Sequence, residues 1–328
     1  MLGGIVGDAV GSRFEGRRGR IETRDFAFFH PRCRFTDDTV CTCAVAQWLL
    51  DGGDLAAILR AWVRRYPDRG YGGLFRRWAA NPSMGPYGSW GNGAPMRVGP
   101  VGWAARDEAE VLELARASAV ITHDHPEAVR AAQALAFAVF RARHGAEPAR
   151  IRREVEERFG YDLSFTVEEI RPHDRFDVSA RGSTPQAMVC ALEAVDFEDA
   201  VRNAVSLGGD SDTLACMAGS LAEPLFGIPA WIEEGVRPFL TEEILELMAR
   251  FRARFGRPPH SVSRRPGSVT LSQEVGTPSG PEPVSSMKAF VIALPLHRVS
   301  AGGNRGGGPQ GVSGVAPEVC VDRGPEGA

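Results

Sequence analysis

The stretch Pro126-Glu127-Ala128-Val129-Arg130-Ala131-Ala132-Gln133-Ala134-Leu135-Ala136-Phe137-Ala138-Val139-Phe140 decides the fold class. Val129, Ala132, Leu135, Ala136, Val139 and Phe140 recur at helical spacing. Pro126 belongs at the first helical position, where its missing N–H costs nothing, so the Thr122-His123-Asp124-His125 loop is fixed at a helix entrance. Val40, Ala44 and Trp48 repeat the pattern upstream. Further candidate helices cover residues 54 to 66, 107 to 119, 147 to 159, 185 to 194, 197 to 207, 212 to 222 and 242 to 255. No strand pattern of comparable extent is present, so the expected class is all-α.

Two segments interrupt the helical spacing. Residues 81 to 103 are too rich in Gly and Pro for a helix and too aromatic for a linker, the profile of a loop with a task. After Gly256 the composition shifts to Pro, Gly, Ser and Arg, with a single apolar run from Ala289 to Leu296. The expected organisation is a domain over residues 1–256 followed by a mostly disordered tail over residues 257–328, in which Phe290 to Leu294 is at most a lone strand.

With 328 residues and 43% hydrophobic composition the chain can bury a sizeable core. A formal charge of -3 and a pI near 6.2 give no global reason to expect a nucleic-acid or anionic-membrane partner. The opening residues carry neither a basic leader nor a long apolar span, which makes the cytoplasm the expected location. Six cysteines at positions 33, 41, 43, 190, 216 and 320 form no Cys-x-x-Cys pair and read as reduced thiols, mostly buried.

Chemistry concentrates at two places where aspartates and a threonine precede a helix of small residues, Phe35-Thr36-Asp37-Asp38-Thr39 and Gly208-Gly209-Asp210-Ser211-Asp212-Thr213. Either one alone reads first as an ordinary helix cap with acidic residues in the first turn. Together they require more, because a cap needs one oxygen and each segment clusters two carboxylates beside helices that should be buried. Crowded carboxylates repel unless cations intervene. Four of them balance two divalent ions, with Thr36 and Thr213 able to complete an all-oxygen shell that selects Mg²⁺ or Mn²⁺ over Zn²⁺.

These segments belong to an ordered series. Gly3-Gly4-Ile5-Val6-Gly7-Asp8-Ala9-Val10-Gly11-Ser12-Arg13-Phe14-Glu15, the Phe35 to Thr39 segment, Trp90-Gly91-Asn92-Gly93-Ala94-Pro95-Met96-Arg97-Val98, Thr122-His123-Asp124-His125-Pro126 and the Gly208 to Thr213 segment resemble the successive signatures of the ADP-ribosylglycohydrolase family. The resemblance spans residues 1 to about 230. It implies an orthogonal α-helical bundle with a central dimetal cleft, and cleavage of the bond between the anomeric carbon of ADP-ribose and an attached group. The substrate implied is an ADP-ribosylated protein or a small ADP-ribosyl conjugate. Thr36, Asp37, Asp38, Asp210, Asp212 and Thr213 match the metal ligands, Gly91, Asn92, Gly93 and Met96 the ribose-binding loop, and His123 a substrate-contacting position. Glu15 matches a loop glutamate and is the candidate catalytic residue. Ser211 and Pro95 depart from the usual pattern, the second stiffening the loop.

Cleavage at an anomeric carbon passes through an oxocarbenium-like state, served in most glycosidases by two carboxyl groups and here equally by metal ions. Tyr87 and Trp90 are candidates to stack on adenine, or else packing residues. His125 reads as a capping or surface residue. Two other classes compete: a non-catalytic member of the same fold that binds ADP-ribose or serves structurally, and a metal phosphohydrolase of the His-Asp type. The latter would use His123-Asp124 but lacks further helix-borne histidines upstream, where only His30 is present.

Overall fold

The helical spacing becomes helices throughout the residues described in this computed structural model, 1–16, 21, 23–172 and 176–256. They are α1 (Leu2–Gly11), α2 (Asp37–Asp51), α3 (Leu55–Arg65), α4 (Gly73–Ala80), α5 (Gly99–Ala104), α6 (Glu108–Val120), α7 (Pro126–Arg143), α8 (Pro148–Phe159), α9 (Val167–Ile170), α10 (Ala180–Leu192), α11 (Phe197–Leu207), α12 (Ser211–Phe226), α13 (Ala230–Val236) and α14 (Glu242–Phe255). Among the described residues the one β pairing is a single antiparallel bridge between Gly91 and Ser179. The all-α expectation therefore holds. None of the described helices is long and apolar enough to cross a membrane. Residues 257–328, read above as a tail, lie outside the described residues, as does Cys320.

The centre of the bundle is the pair α1 and α12. Every residue of α1 is buried, and so is α12 from Ser211 to Ala222. Gly3, Gly7 and Gly11, spaced one turn apart, present a flat face on which α12 lies so closely that an added Cβ would overlap the carbonyl oxygens of Gly219, Ala215 and Ser211 respectively. Glu223 of α12 accepts from Gly3 N at 2.9 Å and satisfies one of the free amides at the start of α1. A glycine-rich segment that was not among the expected helices is thus a helix, because tertiary contact with a second backbone outweighs a local cost near 1 kcal/mol per glycine. Around this pair pack α2, α7, α10 and α11, with α6 against α7 and α5 wedged between α2 and α7.

Several boundaries differ from the sequence reading for local reasons. α10 starts five residues before Pro185, because Ser179 caps it by accepting from Gly182 N at 3.0 Å. Pro185 then forgoes one bond inside the helix. α12 runs on past Pro224 to Phe226 and ends at Gly227, whose φ of 74° suits glycine. α5 lies within the Gly/Pro-rich stretch, where Gly102 lets its backbone meet Val139 and Ala136 of α7. Cys33, Cys41, Cys43 and Cys216 are free thiols, and all four, like Cys190, are buried.

Candidate active site

Asp8 is the sole charged residue of α1 and is completely buried. Its carboxylate accepts from Thr36 N (2.9 Å), Thr36 Oγ1 (2.7 Å), Thr39 N (3.1 Å) and Thr39 Oγ1. Three donors meet Oδ2 and one meets Oδ1, so Asp8 works as the clamp that fixes the first turn of α2 against α1. That turn presents Asp37 and Asp38 at successive helix positions, about 100° apart around the axis. Asp38 turns inward and is 2% exposed, whereas Asp37 sits at the rim with its N–H donating to Arg69 O at 2.7 Å.

The second acidic turn faces the first. Asp210 stands at the cap position of α12 but does not cap it; its carboxylate accepts from Asn92 Nδ2 at 2.6 Å. Asp212 and Thr213 follow in the first turn, and Thr213 Oγ1 lies 3.3 Å from Asp38 Oδ2, joining the two segments. One oxygen each from Asp8, Asp38 and Asp212 lie within 4.8 Å of one another, and so do oxygens from Glu15, Asp210 and Asp212. Asp212 is common to both groups. The loop carrying Glu15 is held there by Gly16 N, which donates to Gly209 O at 3.1 Å.

Burial pushes the carboxyls of Asp37, Asp38 and Asp212 well above the ordinary aspartate range, and their acidic neighbours push them further. Asp8, Glu15 and Asp210 are raised as well, burial again coming first. Among the described residues none of the six forms an ion pair with Lys or Arg. Asp38 Oδ1 is buried without a hydrogen-bond partner. The Thr36 hydroxyl gives its one proton to Asp8, which leaves its oxygen 3.3 Å from Asp38 Oδ2 with no proton between them. Lone pairs converging on one buried spot fit divalent cations held by oxygen, while the N-termini of α2 and α12 favour the ionised form of the carboxylates themselves.

The remaining expected residues surround this cluster unevenly. Gly91, Asn92 and Gly93 form a loop laced to the start of α10: Asn92 N donates to Val178 O at 2.8 Å and Ala180 N to Trp90 O at 3.0 Å. His123 is 5% exposed, with Nε2 against Gly93 so closely that a Cβ there would lie 2.8 Å away. Met96 instead packs into the core, and its carbonyl accepts from Thr42 Oγ1 and Cys216 Sγ. Trp90 is 53% exposed, while Tyr87 is half-buried with its ring centroid 6.1 Å from that of His123. His125 caps α7 through Nδ1, accepting from Glu127 N at 3.2 Å. Asp8 was absent from the expected ligands and clamps; a lone charge in an otherwise apolar helix is the signal that marks it.

Comparison with known proteins agrees with this geometry. The family model described as ADP-ribosylglycohydrolase matches residues 1–260. ADP-ribosylhydrolase ARH3 of Homo sapiens is 28% identical over 306 residues, covering 70% of this chain and 84% of that protein. The ADP-ribosylarginine hydrolase Tri1 of Pseudomonas putida is 27% identical over 270 residues, covering 71% and 72%. A solved structure titled ADP-ribosylglycohydrolase-related protein complex superposes with a TM-score of 0.59 at 28% identity, covering 77% of this chain and 95% of that one. The helical bundle, the converging acidic turns and the match over residues 1–260 place this chain in the ADP-ribosylglycohydrolase family of glycohydrolases.

Proposed function

We propose that this protein hydrolyses the glycosidic bond between ADP-ribose and an attached group, on an ADP-ribosylated protein or a small ADP-ribosyl conjugate, using two Mg²⁺ or Mn²⁺ ions. The observation that carries the reading is the pair of carboxylate triads sharing Asp212 beneath the Gly91–Gly93 loop. The names of the relatives support the substrate class. Thr36, Asp37, Asp38, Asp210, Asp212 and Thr213 would hold the ions, with Asp8 clamping the first of these turns. When bound, the ions supply positive charge to the bond being broken and ease ionisation of the attacking water.

The protein's own groups do the rest. Gly91 and Gly93 keep side chains out of the loop, so backbone can approach a ribose. His123 closes that side of the site, and exposed Trp90 offers a flat face to adenine. Glu15, whose carboxyl is raised by burial and by Asp210, takes the proton from the attacking water. The buried free thiols of Cys33, Cys41, Cys43 and Cys216 suit a reducing cytoplasm.

A panel of defined substrates tests the reading, with ADP-ribose linked to arginine, serine, a nucleotide base or a small acyl group, assayed with and without Mg²⁺ or Mn²⁺. Metal-dependent release of ADP-ribose from at least one is expected. Tight ADP-ribose binding without release from any would make the protein a binding module, and phosphomonoester cleavage alone would place it in another hydrolase class.

A further inference from the structure

Arg97 is completely buried, and among the described residues it has no carboxylate partner. Dipoles meet its Nη2 alone, while Nε and Nη1 are buried without a hydrogen-bond partner among the described residues. Nη2 donates to Ser118 O at 2.7 Å and reaches Ala119 O at 3.4 Å, two carbonyls in the last turn of α6, where the helix end carries partial negative charge. Nη2 also donates to Thr122 Oγ1 at 2.9 Å. The same hydroxyl lies 2.6 Å from His123 Nδ1.

The proton count in this chain has one economical solution. A guanidinium only donates, so Thr122 Oγ1 accepts from Arg97. Thr122 is completely buried, and its oxygen has no other partner among the described residues. If His123 Nδ1 carried the ring proton, the Thr122 O–H would be left without an acceptor, a cost of roughly 1–3 kcal/mol at a buried site. If the hydroxyl donates to Nδ1, both the Thr122 hydroxyl and Nδ1 are satisfied and the ring proton sits on Nε2. That nitrogen makes no hydrogen bond among the described residues and lies against Gly93, with Gly91 next to it.

We infer that Arg97 is a positioning residue which, through Thr122, holds His123 as the tautomer protonated on Nε2, so that the ring presents a fixed N–H donor to an oxygen of the ligand on the Gly91–Gly93 loop. The ligand in this statement rests on the function proposed above; the relay does not. Burial, and after it the Arg97 charge, push the imidazole well below its ordinary range and keep the ring neutral beside the guanidinium. A charged His123 would need both ring nitrogens to donate, which Thr122 could meet only by leaving its own proton stranded.

Long-range ¹H–¹⁵N correlation spectra of the full, ligand-free chain test the relay, with His123 assigned by the signals lost in His123→Gln. The expected spectrum has a pyrrole-type Nε2 and a pyridine-type Nδ1. Thr122→Ser, which keeps the hydroxyl, should retain it, while Thr122→Val should give averaged shifts from a mixed population. A pyrrole-type Nδ1 in the unmodified protein, or an unchanged spectrum in Thr122→Val, would overturn the inference. Adding ADP-ribose should then move the Nε2 signal, and Thr122→Val should weaken its binding about tenfold. If ADP-ribose fails to bind the unmodified protein at all, the proposed function falls while the tautomer, read without ligand, stands.

Discussion

Asn92 and Asp210, 118 positions apart in the chain, meet in a buried hydrogen bond of 2.6 Å that aims the Asp210 carboxylate into the acidic cluster instead of onto its own helix. Asn92 is therefore an outer partner of the cluster, and such partners usually tune metal affinity or activity by about 10- to 100-fold. Asn92→Ala should lower kcat/KM within that range while the circular dichroism spectrum stays helical. Steady-state kinetics beside a metal titration reads it out; unchanged values for both would remove Asn92 from the site.

Asp212 belongs to both carboxylate triads and Glu15 to one, at the exposed end. Asp212→Ala and Asp212→Asn should both strip metal from the purified protein and abolish most turnover with the fold retained. Glu15→Gln should depress turnover by about a hundredfold or more and change metal affinity less than Asp212→Ala. Metal content by mass spectrometry and turnover on the same samples separate the two residues.

The raised carboxyls make stability depend on pH in a definite direction. Their folded-state values lie above the unfolded ones, which are near 3.8 for Asp, so the folded protein binds more protons. The stability they contribute is full below about pH 4 and is lost as pH rises through the raised values. Metal-free protein should therefore melt lower at about pH 8 than at about pH 5, apart from changes at other groups. Mg²⁺ or Mn²⁺ at about a hundredfold over Kd should restore roughly 2.7 kcal/mol, several degrees in Tm. A metal-free protein whose Tm does not fall over that interval would contradict the picture of a strained acidic cluster.

Gly7 faces backbone, and backbone cannot move aside as a flexible side chain can. Gly7→Ala drives its new methyl group into Ala215 O and should cost about 3 kcal/mol or more, displacing the adjacent Asp8 clamp as well. Gly85→Ala, with open space around it, should stay within about 0.5 kcal/mol. Denaturant midpoints of the two variants give the comparison.

The chain forms a compact unit over Met1–Pro258. We propose that residues 1–256 suffice for folding and activity, so a chain ending there should unfold cooperatively and keep its kcat/KM. Non-cooperative unfolding of the shortened chain would show that residues 257–328 are required.

Much of this acidic cluster was legible in the sequence because its carboxylates are grouped by motif. Asp38 and Asp212 sit in first turns of helices and Asp210 at a cap position, and local patterning marks such helix starts. What remained hidden depends on contacts that no local pattern carries. α1 was not among the expected helices, because its glycines are placed for a second backbone, which appears only in three dimensions. The clamp role of Asp8 needs Thr36 and Thr39 brought to it from another helix. Arg97 and Thr122 are ordinary residues in sequence, and only their burial beside His123 gives them a task. Asp37 and Asp38 look equivalent side by side, yet the helical turn between them sends one to the rim and one to the centre.

The glycine-faced seam between α1 and α12 also has a consequence for biosynthesis. During translation α1 leaves the ribosome before its partner, which follows some two hundred residues later. Until then the glycine face of an apolar helix with a single charge stays uncovered, a state prone to aggregation in a chain this long. Asp8 and the Asp210–Asp212 turn come together only when α12 docks, so the nascent chain should gain high-affinity metal binding late and in one step, together with closure of its core.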